Sequence, residues 1–309
     1  AVMTLGETQL TSSRGYYYVN TKEVYFKDSV VVVDPRFSLR SDTLKFNTEN
    51  KTVYFLGPTL VTSDSSRIYC EGGFYDTQNN LALFTDNAQY LKGEQKARAD
   101  SIRYEGKRSI YTLEGHASFE EAGKRSAKAD IIRYDENQDA YMLKGAAFFQ
   151  DSIRTIAAEE INYDVRKKRY STKGRSRVSD PPQLLDADEL DYSSDNGLGI
   201  AKGNVVWQDT SAQLSVACEQ ADYNRETGYL IAVGGLNNRP LLITIIVGDS
   251  LFMTSDTLVS SKADTLASDS TRLLQAFRDV RIYKSNLQAL CDSLAYSTVD
   301  SMFRLFHNP

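Results

Sequence analysis

One acidic residue, preceded each time by a small one, recurs through most of this 309-residue chain. The clearest copies are Ala99-Asp100-Ser101-Ile102-Arg103-Tyr104, Ala129-Asp130-Ile131-Ile132-Arg133-Tyr134, Ala158-Glu159-Glu160-Ile161-Asn162-Tyr163 and Ala187-Asp188-Glu189-Leu190-Asp191-Tyr192. Weaker copies carry Asp42, Glu71, Glu219, Asp256 and Asp292. The acids stand at 42, 71, 100, 130, 159, 188, 219, 256 and 292, with gaps of 29, 29, 30, 29, 29, 31, 37 and 36. Two chemical classes held in phase from Asp42 to Asp292 leave one kind of fold, a stack of like units that share a continuous core.

A second pattern lies between these copies. It reads Tyr111-Thr112-Leu113-Glu114-Gly115-His116-Ala117-Ser118-Phe119, with relatives at Tyr141–Gly145, Tyr170–Gly174, Ala201–Val205 and Tyr229–Gly235. Tyr111, Leu113, Ala117 and Phe119 fall on every second position, which is strand periodicity. A glycine inside a strand marks a bend, a bulge or a close backbone approach. Polar turns such as Glu105-Gly106-Lys107-Arg108, Asp135–Asp139 and Ser193–Gly197 are short enough for antiparallel hairpins and too short for parallel crossovers. The predicted fold is all-β, an elongated antiparallel solenoid of about nine units of 29–37 residues. A bend at the glycine lets each long strand serve two facing sheets around an apolar interior. Strict alternation puts the acid on the apolar face, so a bulge beside it is expected.

One repeat domain is expected over 1–309, regular over 30–247 and longer and less regular over 248–309. The apolar stretch Leu241–Val247 suits a buried strand, and the Ser-, Asp- and Thr-rich stretch 260–272 reads as a flexible insertion. Met302–Phe306 begins a second-type strand that stops at Pro309, near where its glycine is due. The expectation is a fragment of a longer protein, behind a removed signal peptide. At roughly 4.8 Å per strand, 18 strands would stack to about 85 Å, with unpaired edges open to another strand.

Composition narrows the chemistry. The 41 acidic and 36 basic residues argue against a nucleic-acid surface. Two histidines, His116 and His307, leave little for a metal site or a catalytic triad. No run of 18 apolar residues suits a membrane helix. Cys70, Cys218 and Cys291 each occupy the small-residue slot before an acid, which reads as a buried small side chain rather than a zinc ligand or a disulfide. One acid per unit supplies neither clustered calcium oxygens nor two carboxylates in distinct environments. The bland reading of the acids is structural, bonded at the bend or paired with a cation such as Arg98 or Lys128. No catalytic residue, metal or cofactor is expected.

The alternation of A-D-x-I-x-Y and Y-x-L-x-G-x-A over roughly 30–306 resembles the OstA/LptA-like family of periplasmic lipopolysaccharide-transport proteins, most of all the large OstA-like proteins of the Bacteroidetes type. That resemblance implies an antiparallel β-jelly roll of V-shaped sheets in the periplasm or cell envelope. It also implies lipopolysaccharide or a related lipid carried along the interior, and end-to-end stacking with itself or other jelly-roll transport proteins. The implied lipid groove comprises Ile102, Tyr104, Tyr111, Leu113, Phe119, Ile132, Tyr134, Tyr141, Leu143, Phe149, Ile161, Tyr163, Leu190, Tyr192, Val205 and Trp207. Ordinary core packing accounts for the same ladder, and an open-ended core is also a lipid site. Arg166, Lys167, Lys168 and Arg169 are candidate lipid-phosphate contacts, against the plainer reading of a solvated hairpin turn. Two other classes are open to a repeat of this kind. A structural or adhesive repeat protein would bind protein or glycan on its outer faces around a sealed interior. A polysaccharide-cleaving parallel β-helix would need shorter rungs and acids gathered at one point.

Overall fold

The computed structural model describes residues 1–63, 65–236, 238–246, 248–262 and 272–306. Among the described residues the regular structure is β-strand throughout, and the strands pair antiparallel. The chain divides into two compact units, Ala1–Ser152 and Ile153–Pro309. Each unit folds as two arms meeting at a corner, the V-shaped jelly-roll arrangement.

The corner follows from the two sequence patterns. In the strand Arg125–Asp135, Ala127, Ala129 and Ile132 are buried while Asp130 is exposed. Its pairing with Ala140–Asp151 slips by one residue between Lys128 and Ile131. The inward phase therefore steps from Ala129 to Ile132, and the acid points out. Strict alternation, which would have buried it, is broken by this bulge. Opposite the bulge Gly145 has φ of +79°, a left-handed conformation in which a side chain is strained. A Cβ there would lie 2.9 Å from the Asp130 Cβ, so the acid rests on bare glycine backbone. Gly115 receives Asp100, Gly174 receives Glu159 and Gly203 receives Asp188 in the same way. The two repeated patterns are thus the two sides of one corner.

Because each long strand runs through the corner, its halves lie in different arms. The strand Leu81–Lys92 pairs through 81–85 with Gly72–Asp76 and through 89–92 with Ser66–Cys70. One arm carries the repeated tyrosines, for example Tyr104, Tyr111, Tyr134 and Tyr141 in the first unit, and is called the tyrosine arm. The other carries Ala97, Ala117, Ala127 and Phe149, and is called the alanine arm. At the tips of the tyrosine arm, Asx turns end the strands: Asp76 accepts the Gln78 and Asn79 N–H groups, and Asn224 accepts that of Thr227. Successive turns also bond to one another, as Gly106 N–H to Asn80 O (2.8 Å) and Arg225 N–H to Gly197 O (2.8 Å).

All nine small residues before the acids are buried, the three thiols among them. Burial pushes Cys70 and Cys218 up to about 12, as expected of inert thiols in an apolar slot. Apolar cross-strand pairs fill the space between the arms. Leu143 and its partner Ile132 are 0% and 1% exposed, a burial worth about 1.5–3 kcal/mol per side chain.

The irregular C-terminal part keeps the same plan. Thr257–Lys262 and Arg272–Lys284 are paired strands, with Ser260 and Arg272 buried. The flexible insertion expected over 260–272 is therefore narrowed at both ends, and 263–271 lie outside the described residues, as does Val247. Leu241–Ile246 is a strand with Leu242 buried, and Met302–Phe306 pairs with Leu287–Ser297. His307 to Pro309 lie outside the described residues.

Two substitutions test the corner and the slot. Gly145→Ala should cost about 1–3 kcal/mol in denaturant unfolding, from the left-handed backbone and the collision with Asp130. In a double-mutant cycle, Asp130→Gly should recover at least about 0.5 kcal/mol of that cost, and an additive cycle would contradict the corner as drawn. Cys218→Ala should change stability by less than about 1.5 kcal/mol, whereas Cys218→Leu should overpack the slot by about 1–3 kcal/mol.

Candidate functional site

The space between the arms gathers the aromatic ladder. In the first unit Tyr104 and Tyr111 lie 4.6 Å apart between ring centroids, and Tyr134 and Tyr141 4.5 Å. Tyr111 and Tyr134 join the two pairs at 6.4 Å. Phe119 of the alanine arm meets Tyr141 of the tyrosine arm at 5.8 Å, so the arms touch through aromatic rings. In the second unit Tyr170 stacks on Tyr192 at 5.1 Å, and Trp207 crosses to Tyr223 at 6.1 Å.

The groove candidates all take inward positions on these arms. Ile102, Leu113, Ile132, Tyr141, Leu143, Phe149, Ile161, Leu190, Tyr192, Val205 and Trp207 are buried. Tyr104, Tyr111, Phe119, Tyr134 and Tyr163 are half-buried. Within the second unit the arms enclose a cavity of about 50 Å³ lined by Tyr170, Val178, Leu185, Leu190, Tyr192, Trp207, Tyr223 and Leu230, with Asp180, Gln183 and Arg225 at its polar side. It has room for only a few water molecules.

Sequence reasoning missed what closes this cavity on its open side. Asp180 and Asp209 end strands of the alanine arm, while Arg225 and Arg272 sit at tips of the tyrosine arm. Arg272 reaches over the Trp207 ring, 6.0 Å from its centroid, to bond Asp209 Oδ2 through Nη2 at 2.6 Å. The two side chains are 3% and 1% exposed. Arg272 Nη1 donates to Gly228 O at 2.8 Å, while its Nε is buried without a hydrogen-bond partner. Arg225 bonds Asp180 at 3.1 Å, and the Tyr223 hydroxyl donates to Gln183 Oε1 at 2.5 Å. Burial pushes the Tyr223 hydroxyl up to about 12. Arg154 also pairs with Asp180, at 3.3 Å, and lies over the Tyr170 and Tyr192 rings. A signal for these tips was present: Glu121, Asp151, Asp180 and Asp209 form a second acidic ladder with gaps of 30, 29 and 29. Their arginine partners keep no period, which hid them.

The basic tetrad lies at a turn of the tyrosine arm in the second unit. All four residues are exposed. Lys167 pairs with Asp164 (2.9 Å), Lys168 with Asp195 (3.0 Å) and Arg169 with Asp191 (2.5 Å). The corner acids also have partners other than the cations expected from sequence. Asp100 takes His116 Nδ1 at 3.0 Å, and Asp188 takes Asn204 Nδ2 at 2.8 Å and Arg175 at 3.3 Å.

Two tip carboxylates, Asp34 and Asp209, titrate low. In the first unit, hydrogen bonds from Arg36 and Thr8 hold Asp34 at about 2. Burial pushes Asp209 up, but the Ser211 hydroxyl, the Ala212 N–H and Arg272 outweigh it and hold the carboxyl below its ordinary value. A carboxyl with a depressed folded-state pKa contributes stability above its unfolded value, and that contribution is lost as pH falls through the folded value. Thermal unfolding should therefore show a midpoint that drops between about pH 4 and pH 2. Replacing Asp34 and Asp209 by Asn should flatten that limb, and an unchanged slope would contradict the assignment.

The model of a family described as LptA/(LptD N-terminal domain) LPS transport protein matches residues 9–126 and 120–169. Together these are residues 9–169, or 161 of 309. Among solved structures, the LptA-homologous periplasmic component LptH of the lipopolysaccharide transport device of Pseudomonas aeruginosa is similar at 14% identity and a TM-score of 0.33, over 35% of this chain and 82% of that one. No curated protein matches the sequence. With more than half of its length matched by the family, and with an antiparallel two-armed fold, this chain belongs to the LptA/LptD N-terminal domain family of lipopolysaccharide-transport proteins.

Proposed function

We propose that this protein is a periplasmic bridge component that carries the acyl chains of lipopolysaccharide, or of a related lipid, between its two arms. The observation that carries this reading is the convergence of apolar rows from both arms on one interior, in a member of a lipopolysaccharide-transport family. The chemistry suits the cargo. Each methylene buried is worth about 0.8 kcal/mol, so part of one acyl chain offsets the cost of association and gives micromolar binding. The cavity is small beside an acyl chain, so lipid binding in this reading widens the space between the arms. The partners fitting this reading are jelly-roll transport proteins, or a second copy, added edge to edge by strand pairing. Arg166, Lys167, Lys168 and Arg169 would meet lipid phosphate only by giving up the carboxylates that hold three of them. The small cavity also suits the other reading, a structural or adhesive protein that binds on its outer faces.

Photo-reactive amino acids placed singly at Tyr134, Phe149, Tyr163 and Trp207 separate the two. Inward positions should label lipopolysaccharide in cells, and an outward position such as Lys128 should not. Uniform silence at the inward positions in a functional protein would overturn the conduit and favour the outer-face reading.

A further inference from the structure

The polar contacts at the tips of the second unit have a geometry that ordinary strand pairing does not require. Antiparallel neighbours bond along the sheet, within one arm. Asp209–Arg272, Asp180–Arg225 and Gln183–Tyr223 instead join one arm to the other, across 63, 45 and 40 residues of sequence. They lie on the open side of the V, opposite the glycine corner. The corner alone already fixes one end of each arm, so these contacts fix the other end and close the interior.

We infer that these three contacts form a latch, and that lipid reaches the interior of the second unit only when the latch opens. The inference rests on the conduit reading above. Three features support it. Two of the three contacts border the cavity, since Asp180, Gln183, Tyr223 and Arg225 are among its lining residues, and the third lies beside Trp207, which lines it too. The chemistry is graded: Asp209–Arg272 is fully buried, whereas Arg225 is 40% exposed at its side chain and Asp180 13%. An exposed ion pair is weak and opens readily, while a buried one holds until both partners find new ones. Finally, each ion pair joins a carboxylate to a guanidinium, and a phosphate accepts from a guanidinium as a carboxylate does. A phosphorylated lipid headgroup is therefore suited to take over Arg225 and Arg272 as its chains separate the arms. The buried, unpartnered Nε of Arg272 provides one further donor for such a group.

The test locks the latch covalently. Cys70, Cys218 and Cys291 are first replaced by alanine, the residue that fills the same slot at 99, 129, 158 and 187. Gln183→Cys and Tyr223→Cys then place one thiol on each arm, and the folded protein is joined by a short bis-maleimide or by one with a long flexible spacer. Binding of fluorescent lipid A is measured for the unlinked and both linked forms. The latch predicts that the short linker lowers binding at least tenfold and that the long spacer restores it to within about threefold. Equal binding by all three forms would overturn the latch and leave the conduit standing. Equal loss with both linkers would also overturn it, because the loss would then come from modification alone. If the unlinked protein and the wild type both fail to bind, the conduit reading falls and the latch falls with it. A second variant needs no cross-link. Tyr223→Phe, which removes the Tyr223–Gln183 contact without stranding a buried charge, should speed lipid uptake about two- to fivefold, and an unchanged or slower rate would count against the latch.

Discussion

The architecture depends on one close contact, a carboxyl side chain resting on the bare backbone of a glycine in the next strand. Asp130 over Gly145 shows why it matters. The bulge turns the acid outward without breaking the strand, and the left-handed glycine gives the neighbouring strand its bend. Repeated with Asp100, Glu159 and Asp188, the same contact folds each strand into two halves. Once the halves face each other, apolar residues on the inward phase of both arms have only one place to go. Core, arms and interior all follow from that corner. Where glycine is missing, pairs such as Asp86-Asn87 and Arg278-Asp279 adopt the same left-handed backbone, at a conformational cost that tertiary packing must offset.

Much of this was legible because the repeat amplifies it. One A-D-x-I-x-Y segment is weak, but nine in phase specify strand type, unit length and the identity of the slot that holds Cys70, Cys218 and Cys291. The phase break at the acid was visible as a contradiction: strict alternation would have buried Asp100 and Asp130, and a bulge was the available escape. The aromatic ladder was equally plain, since alternation places Tyr134 and Tyr141 on one inward row. The tip contacts were not legible. Arg225 opens the turn after a strand and Arg272 begins one, and neither shares a period with Asp180 or Asp209. Pairing between groups 45 and 63 residues apart depends on how the arms close, which no local pattern encodes. The tetrad at 166–169 was legible as a turn but not in its pairing. Four adjacent cations stand out in sequence, yet their acids lie three or more than twenty residues away and draw Lys167, Lys168 and Arg169 into ordinary surface pairs.

The same geometry relates stability to transport. A lipid conduit must hold its shape while leaving one side able to open. The corner supplies the permanent restraint, because it is made of backbone and bulge. In the proposed latch the tips supply a reversible one, made of side chains and ion pairs whose partners an anionic lipid can replace. This division explains why charged groups are buried at the tips at all. A buried ion pair such as Asp209–Arg272 contributes little net stability over an apolar pair, and the proposed latch gives it a role as an exchangeable contact.

The most direct test of lipid between the arms is the distance across the open side. Spin labels at Thr210, on an alanine-arm tip, and Glu226, on a tyrosine-arm tip, are both exposed and report it without touching the interior. With Cys70, Cys218 and Cys291 replaced by alanine, pulsed electron resonance should give a narrow distance distribution in the free protein. Lipopolysaccharide should lengthen and broaden it. A distribution that stays unchanged while lipid is demonstrably bound would mean that the lipid sits elsewhere, and the conduit account would be wrong.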